Sequence, residues 1–254
     1  GDDVSVTISD VTTTQYTSTL TSEMNDIGAY RLLACDTLQN TFEINMVATF
    51  MLDFSVDIPF TDNIHIVNTV DDTDDGVCSE QHCSLREAIH ATNAQAGTDT
   101  IVFDLPANPV IQPLTLLPEI TDSVIIDGWS QPDYVDTPVI ELDGSRLAET
   151  LPPQGYDIHE WHGLSISGGS TVRGLVINNF DGAGIYLHGG DGNIIVGNYL
   201  GTNRTGTARA GNYYGLYIVS ADNNQIGGVT PQTRNLISGN VYYGLWIEAD
   251  NQVV

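Results

Sequence analysis

The sequence YGLYI at positions 214–218 recurs as YGLWI at positions 243–247, an offset of 29 (243 − 214). A related copy, AGIYL, begins at position 183, an offset of 31 (214 − 183), and a weaker copy, HGLSI, begins at position 162, an offset of 21 (183 − 162). Self-similarity with a period of roughly 20–50 residues is typical of solenoids, propellers and repeat arrays. The second half of the chain is therefore predicted to be a repeat structure.

Each repeat contains short apolar segments of β-type rather than helical periodicity. Ile185 and Leu187 fall on one side of a strand and Tyr186 and His188 on the other, because successive side chains alternate. Glycine and asparagine, which suit tight turns, separate the segments. A single repeat cannot bury its inward side, whereas stacked parallel repeats can. The predicted class is all-β, a right-handed parallel β-helix, since this fold tolerates loops and a spacing that varies between copies better than a propeller does.

Asparagines recur at equivalent positions between these segments. The sequence NII at 193–195 aligns with NQI at 224–226 and with NQV at 251–253. Asparagine side chains in stacked turns can bond to one another and to backbone groups of the next repeat. We therefore expect turn formers at Asn193, Asn198, Asn224, Asn235, Asn240 and Asn251.

The composition is strongly acidic. Seven arginines, no lysine and 33 acidic residues give a net charge of −26. Binding to nucleic acid or to an anionic membrane needs cationic side chains, so both partners are excluded. Such a charge suits solubility, calcium binding or a saline habitat. No apolar run approaches the roughly 20 residues of a membrane span, so no transmembrane segment is predicted.

Three regions are predicted along the chain. Residues 1–60 form a separate β-rich region, either a small sandwich-like module or strands used in assembly, with strands expected near 4–9, 42–47 and 50–56. Residues 61–103 form a cap, and residues 104–254 form the β-helix. The last repeat stops partway, so we expect either a fragment of a longer protein or an end covered by something else.

A helix over residues 84–95 is predicted within the cap. Ser84 and Glu87 have the spacing of a capping box, in which each side chain bonds the other's backbone amide. Apolar residues follow at helical spacing from Leu85, and Gly97 is the expected stop. A short amphipathic helix at this point can cover the open end of a β-helix.

The sequence CSLREAI at 83–89 resembles the signature of the CSLREAI domain, which occurs in bacterial secreted and surface right-handed β-helix proteins. Further segments that such proteins carry are VNT at 67–69, DTIVF at 99–103, IDGWSQP at 126–132, PVIELDGS at 138–145, STVRGLVI at 170–177 and RNLISGN at 234–240. The resemblance covers about residues 64–254. It implies a secreted or cell-surface protein, bacterial or archaeal, with a structural or adhesive role.

Cysteine usage agrees with export. Cys78 and Cys83 lie five residues apart, and a local disulfide is the favoured interpretation over a metal site, because their spacing fits no zinc pattern. Cys35 is left over, either as a buried thiol or as an intermolecular bridge.

The acidic loop at 71–76 is the candidate metal site. Asp71, Asp72, Asp74 and Asp75 precede Gly76 and resemble the start of a calcium-binding loop. The twelfth position counted from Asp72 is Cys83 rather than glutamate, so the pattern is incomplete. A solvated acidic turn is the alternative.

Three carboxylates and one arginine are the catalytic candidates. Asp127, Glu141, Asp143 and Arg173 lie on neighbouring repeats, and a glycosidase needs two carboxylates roughly 5–10 Å apart. The alternative function is therefore a carbohydrate-active enzyme, either a polysaccharide lyase or a glycoside hydrolase. The signatures of polygalacturonases are absent, and the negative charge would repel a polyuronate. Asp127 and Asp143 are more typical of Asp-Gly turns.

Aromatic residues supply the candidate interaction surface. Tyr186, Tyr217 and Trp246 occupy the same repeat position, on the side opposite the apolar residues. An outward aromatic strip suits contact with carbohydrate or with other protein chains. The predicted function is therefore non-catalytic, that of a structural or adhesive subunit of an extracellular assembly.

Overall fold

A computed structural model of the chain describes residues 63–150, 161–250 and 252–254, together with the backbone of four strands among the first 62 residues. The chain divides into two compact units, residues 1–61 and residues 62–254.

The first unit contains two antiparallel strand pairs. β1 (Val11–Thr12) pairs with β2 (Gln15–Tyr16), and β3 (Ala29–Cys35) pairs with β4 (Thr41–Val47). The strands expected near 4–9 and 50–56, and the state of the Cys35 thiol, lie outside the described residues.

The second unit is mostly β-structure, and its described part has a single α-helix. Its elements are β5 (Ile64–Val67), α1 (Leu85–Ala94), β6 (Asp99–Phe103), β7 (Val110–Ile111), β8 (Val124–Asp127), β9 (Ile140–Asp143), β10 (Leu164–Ile166), β11 (Thr171–Arg173), β12 (Leu175–Asn178), β13 (Ala183–Leu187), β14 (Ile194–Val196), β15 (Tyr199–Leu200), β16 (Tyr214–Val219), β17 (Gln225–Ile226), β18 (Leu236–Ile237) and β19 (Tyr243–Glu248). Every strand pair in this unit is parallel.

These strands form three sheets. The first has the order β5-β6-β8-β11-β14-β17, the second β7-β9-β12-β15-β18 and the third β10-β13-β16-β19. From β8 onward the chain visits the first, second and third sheets in turn, four times over. We call each such passage a circuit.

The register follows the sequence repeats. Leu164 lies opposite Ile185, Ala183 opposite Tyr214 and Tyr214 opposite Tyr243. The separations of these pairs along the chain are the same as the offsets between the sequence copies. Parallel pairing in register therefore stacks equivalent residues of successive repeats.

The register of the last repeat differs from the sequence alignment by one residue. The alignment places Asn251 at the position of Asn224, but Val253 pairs with Gln225 in a parallel β-bridge, so Gln252 is the residue next to Asn224. The Gln252 amide donates to the Ala221 carbonyl, as the Asn224 amide does. Gln252 therefore shares one acceptor with Asn224, and Asn251 itself lies outside the described residues.

The core lies between the three sheets. In the first sheet Ile101, Ile126, Val172 and Ile195 are fully buried and lie in one register column. Similar columns of Ile and Leu from the other two sheets join them in one hydrophobic cluster. Each column is apolar because alternate residues of every strand point to the same side.

The helix begins as the sequence predicts. The Ser84 hydroxyl accepts the Glu87 amide proton, and the Glu87 carboxylate accepts the Ser84 amide proton at 2.8 Å. Helix α1 packs against β5 and β6 and ends at Ala94 with Gln95 as its C-cap, which agrees with the predicted end near residue 95; Gly97, the expected stop, lies two residues beyond the cap. In the described residues no helix is long and apolar enough to cross a membrane.

Candidate interaction surface

The outer side of the third sheet carries a column of aromatic rings. Tyr186, Tyr217 and Trp246 lie directly opposite one another on β13, β16 and β19. The ring centroids of Tyr186 and Tyr217 are 5.2 Å apart, and those of Tyr217 and Trp246 are 5.5 Å apart. The structure thus places the three residues chosen from the sequence in one continuous stack.

A second group of rings, which strict alternation along the strands would place on the inner side, lies beside this column. Tyr214 lies 5.3 Å from the ring of Tyr217, and Tyr243 lies 5.0 Å from the ring of Trp246. Tyr213 and Tyr242 stack on each other at 5.5 Å and contact the second group. We call the whole set the aromatic surface: Tyr186, Tyr213, Tyr214, Tyr217, Tyr242, Tyr243 and Trp246.

A glycine lets both groups face outward. Gly215 and Leu216 are both buried, which interrupts the alternation of sides and puts Tyr214 on the same outer side as Tyr217. A Cβ atom on Gly215 would lie 2.5 Å from the Gly244 carbonyl oxygen, so only glycine fits. The repeated glycine of the YGLYI motif was the sequence signal for the second group.

Polar groups border the aromatic surface at both ends of the column. The Tyr217 hydroxyl lies 3.5 Å from a carboxylate oxygen of Glu248. At the other end His188 stacks on Tyr186 at 4.7 Å, and its Nε2 lies 3.0 Å from the Ser165 hydroxyl and 3.4 Å from Glu119. Ser165 and Glu119 approach the same nitrogen, so this group lacks the relay of a catalytic triad, in which the acid holds the other nitrogen.

The phenols of the aromatic surface stay protonated over a wide pH range. Burial, followed by the neighbouring tyrosines, raises the pKa of Tyr214, while burial and Glu248 raise the pKa of Tyr217. A bond with Tyr242 is the main cause of the raised pKa of Tyr243. These hydroxyls therefore remain available as hydrogen-bond donors.

His162 supports the first ring of the column in its neutral form. Its ring lies 4.2 Å from that of Tyr186, and its Nδ1 accepts the Ala183 amide proton at 2.9 Å. Burial, with a smaller contribution from His188, lowers the pKa of His162 from 6.5 to about 4. If Nδ1 bound a proton, it could no longer accept the hydrogen bond from the Ala183 amide.

The acidic loop is held by internal bonds. Asp72 forms a nearly buried ion pair with Arg86 at 2.8 Å and also accepts the Leu114 amide proton. Asp74 lies 3.3 Å from His90. Asp71 accepts bonds from Thr69, Thr73 and His82; burial alone would raise its pKa, but these bonds lower it to about 2.

The four aspartates do not come together as one ligand set. Among the described residues the one group with ligand atoms within 4.8 Å of one another is Asp75, His82 and Glu87. His82 Nδ1 lies 3.0 Å from Glu87, and its Nε2 lies 3.1 Å from Asp71. Burial would lower the pKa of His82, but Asp71 and Glu87 raise it overall. This group includes an imidazole, whereas calcium prefers oxygen ligands, so a calcium site remains a prediction.

Cys78 and Cys83 close the same loop with a disulfide of 1.99 Å. It lies immediately before Ser84, the first residue of the capping box, and so links the acidic loop to the start of α1.

Each catalytic candidate is bonded to other side chains of the protein. Arg173 donates two bonds to Asp127, at 2.7 and 2.6 Å, and its guanidinium lies 4.6 Å from the Trp129 ring centroid. Asp127 also accepts the Trp129 amide proton, which is the Asp-Gly turn role that the sequence favours.

Glu141 and Asp143 have other partners. Glu141 accepts a bond from Asn178 at 2.7 Å and lies 3.2 Å from Arg204. Asp143 accepts bonds from Asn179, Gln112 and Ser145, which outweigh burial and lower its pKa. A general acid needs a raised pKa instead, so Asp143 is unsuited to that role.

Buried asparagines connect the circuits. Asn198 accepts the Leu175 amide proton at 3.0 Å and donates to the Val172 carbonyl at 2.9 Å. Asn193 donates to Asn224 at 2.7 Å, and Asn235 accepts the Asn198 amide proton at 2.9 Å. These bonds agree with the turn role expected for the repeated asparagines.

Comparison with protein-family models, with curated proteins and with solved structures gave no match. Function is therefore inferred from the residues of this chain alone.

Proposed function

We propose that this chain is a non-catalytic extracellular protein with a structural or adhesive role, a subunit or decoration of a cell-surface assembly. The observation that carries the proposal is the aromatic surface, in which seven rings form one contiguous outer face. Tyr242 and Tyr243 are 54% and 45% exposed. A contiguous exposed aromatic patch is typical of a surface that contacts a partner.

The proposal includes a finer description of the fold. The four circuits and the single core between three parallel sheets support a right-handed parallel β-helix, a solenoid in which α1 covers one end. A rigid stack of this kind holds aromatic side chains from separate strands at fixed spacing. Such a scaffold suits binding better than a flexible loop does, because little ordering is needed on contact.

Two chemical features support the extracellular location in this proposal. A disulfide between Cys78 and Cys83 favours an oxidising compartment, and the acidic composition favours solubility outside the cell. The CSLREAI resemblance points the same way, towards a secreted or surface protein of a bacterium or archaeon. Other protein chains and carbohydrates are the partner classes that an aromatic surface can contact.

The internal bonds of the carboxylates favour binding over catalysis. Asp127 is neutralised by Arg173, and Glu141 is bonded to Asn178 and paired with Arg204. A glycosidase would need one of two facing carboxylates to be free to donate a proton. These residues instead connect neighbouring strands.

A retention assay tests the proposal. The purified full chain is labelled and passed over immobilised neutral polysaccharide, anionic polysaccharide, basic protein and acidic protein. We expect retention on at least one surface, and loss of it in the double variant Tyr217→Ser, Trp246→Ser. Tyr199→Ser is the matched control, because Tyr199 is a half-buried tyrosine on the second sheet. Circular dichroism checks that each variant folds.

A cleavage assay on the same polysaccharides, read as new reducing ends or unsaturated products, accompanies the retention assay. The proposal fails if the wild-type protein is retained by none of the surfaces, or if the double variant is retained as well as the wild type. Product formation by the wild type would overturn the non-catalytic role.

A further inference from the structure

The chain contains an internal example of arginine binding. Asp127 and Trp129 are two residues apart, and together they hold Arg173: the carboxylate accepts two bonds and the indole lies against the guanidinium. Arg173 lies directly opposite Asp127 in the parallel register, so the next strand supplies the cation. Tryptophan is the best aromatic partner for a cation, and arginine the commoner cation.

The aromatic surface also has an indole and a carboxylate close together, but in the described part of the chain no arginine lies between them. Trp246 and Glu248 are also two residues apart, and both lie on the outer side of β19 because Ile247 between them packs against the core. The residue opposite Glu248 on the preceding strand, β16, is Val219, just as Val102 lies opposite Asp127 on the preceding strand of the first sheet. Arg173 lies on the strand that follows Asp127, whereas β19 is the edge strand of the third sheet, so no strand of the described residues supplies a cation on that side of Glu248. Glu248 is exposed and forms no ion pair with a basic residue of the described chain.

The charge of the protein favours a cationic partner. The net charge is −26, and in the described residues Arg86, Arg173 and Arg204 are among the arginines already paired with internal carboxylates. The unbalanced acidic charge attracts cations to the surface and repels anionic glycans and membranes. Attraction by the net charge is the same for arginine and lysine. An aromatic ring beside a carboxylate favours arginine, because a planar guanidinium can stack on the ring and donate hydrogen bonds to the carboxylate at the same time.

We propose that Trp246 and Glu248, flanked by Tyr217, bind the guanidinium of an arginine side chain presented by a partner protein. This inference rests on the proposed function, because it names the partner of the same aromatic surface. The Glu248 carboxylate accepts the guanidinium hydrogen bonds, and the indole lies against its plane. The Tyr217 hydroxyl, 3.5 Å from Glu248, helps to position the carboxylate.

Calorimetric titration of the full chain with three capped peptides of equal length tests this. The peptides are oligoarginine, oligolysine and the neutral isostere oligocitrulline. We expect oligoarginine to bind about two- to fivefold more tightly than oligolysine, the difference that an exposed cation–aromatic contact makes. Oligocitrulline is expected not to bind, because it lacks the charge.

Variants separate the site from general charge attraction. Trp246→Leu is expected to abolish the preference for arginine over lysine, and Glu248→Gln to weaken oligoarginine binding about threefold or more. Glu80→Gln is the matched control, since it removes the same charge from an exposed glutamate with no side-chain bond among the described residues. We expect it to stay within about twofold of the wild type at moderate salt.

Two outcomes overturn the inference: equal affinity for oligoarginine and oligolysine in the wild type, or an unchanged arginine preference in Trp246→Leu. Either result leaves only attraction by the net charge. The retention assay distinguishes this failure from failure of the proposed function. If the Tyr217, Trp246 double variant still loses retention, for example on neutral polysaccharide, the aromatic surface binds a different partner class.

Discussion

Acidification provides a direct test of how the aromatic surface is supported. His162 accepts the Ala183 amide proton through Nδ1 and lies against Tyr186, so its neutral form is the one that fits. Its pKa is lowered from 6.5 to about 4, chiefly by burial. The unfolded chain therefore binds a proton more readily than the folded chain between these two values. The stability that neutral His162 contributes is fully present above pH 6.5 and is lost as the pH falls towards about 4.

The size of the loss follows from the two pKa values. A difference of about 2.5 (6.5 − 4) corresponds to about 3 kcal/mol when the loss is complete. At about pH 5 the linkage relation gives a loss of about 2 kcal/mol. The His162 ring is only half buried, so solvent screening makes this an upper value.

The assay compares wild type with His162→Asn in urea unfolding at several pH values from about 7 to about 5. Asparagine places an oxygen near the position of Nδ1 and can still accept the Ala183 proton, but it does not titrate. We expect the stability of the wild type, relative to that of the variant, to fall by about 2 kcal/mol over this range. Taking the difference between the two proteins cancels the titration of the other groups. Parallel pH profiles for the two proteins would refute the reasoning.

Three further predictions concern the loop and the stacked circuits. The stability contributed by His82 is expected to be fully present below pH 6.5 and to be lost as the pH rises through the raised pKa of the folded state. In urea unfolding at several pH values, the variant His82→Asn should not show this loss at higher pH. Asn198→Ala removes the hydrogen bonds of Asn198 to the buried Leu175 amide and to the Val172 carbonyl and is expected to cost about 2–5 kcal/mol in the same assay; a loss below about 1 kcal/mol would contradict the bonding. Gly215→Ala is expected to cost about 1–3 kcal/mol or more, because its Cβ would lie 2.5 Å from a carbonyl oxygen. Gly244→Ala occupies the same repeat position with its nearest atom at 3.3 Å, so equal losses in the two variants would rule out the clash.

Local sequence patterns were sufficient for the helix and for much of the register. Ser84 and Glu87 are three residues apart, and their capping box depends only on that spacing. The strand predicted near 42–47 matches β4 (Thr41–Val47) because a few consecutive residues decide it. The alignment of the last copy was wrong by one residue, because Val253 pairs with Gln225 and so places Gln252, not Asn251, next to Asn224.

Long-range contacts decided the roles of the charged residues. Arg86 lies on a helical position that the sequence would expose, but it is nearly buried against Asp72, 14 residues away. Asp75 joins His82 and Glu87 rather than the other aspartates of its loop. Spacing along the chain carries little information about such pairs, since it does not say how the loop folds back on the helix.

The sequence by itself determined which residues stack on which in the repeats, because parallel pairing in register requires equivalent residues at offsets of 29 and 31, and those offsets can be read directly. It also determined that Tyr186, Tyr217 and Trp246 share one side of their strands. Only the tertiary structure decided that Tyr214 and Tyr243 join them in one surface. The break in alternation at Gly215 turns Tyr214 outward. The repeated glycine marks the position in the sequence, but the close approach of the next strand that requires a glycine there is visible only in the structure.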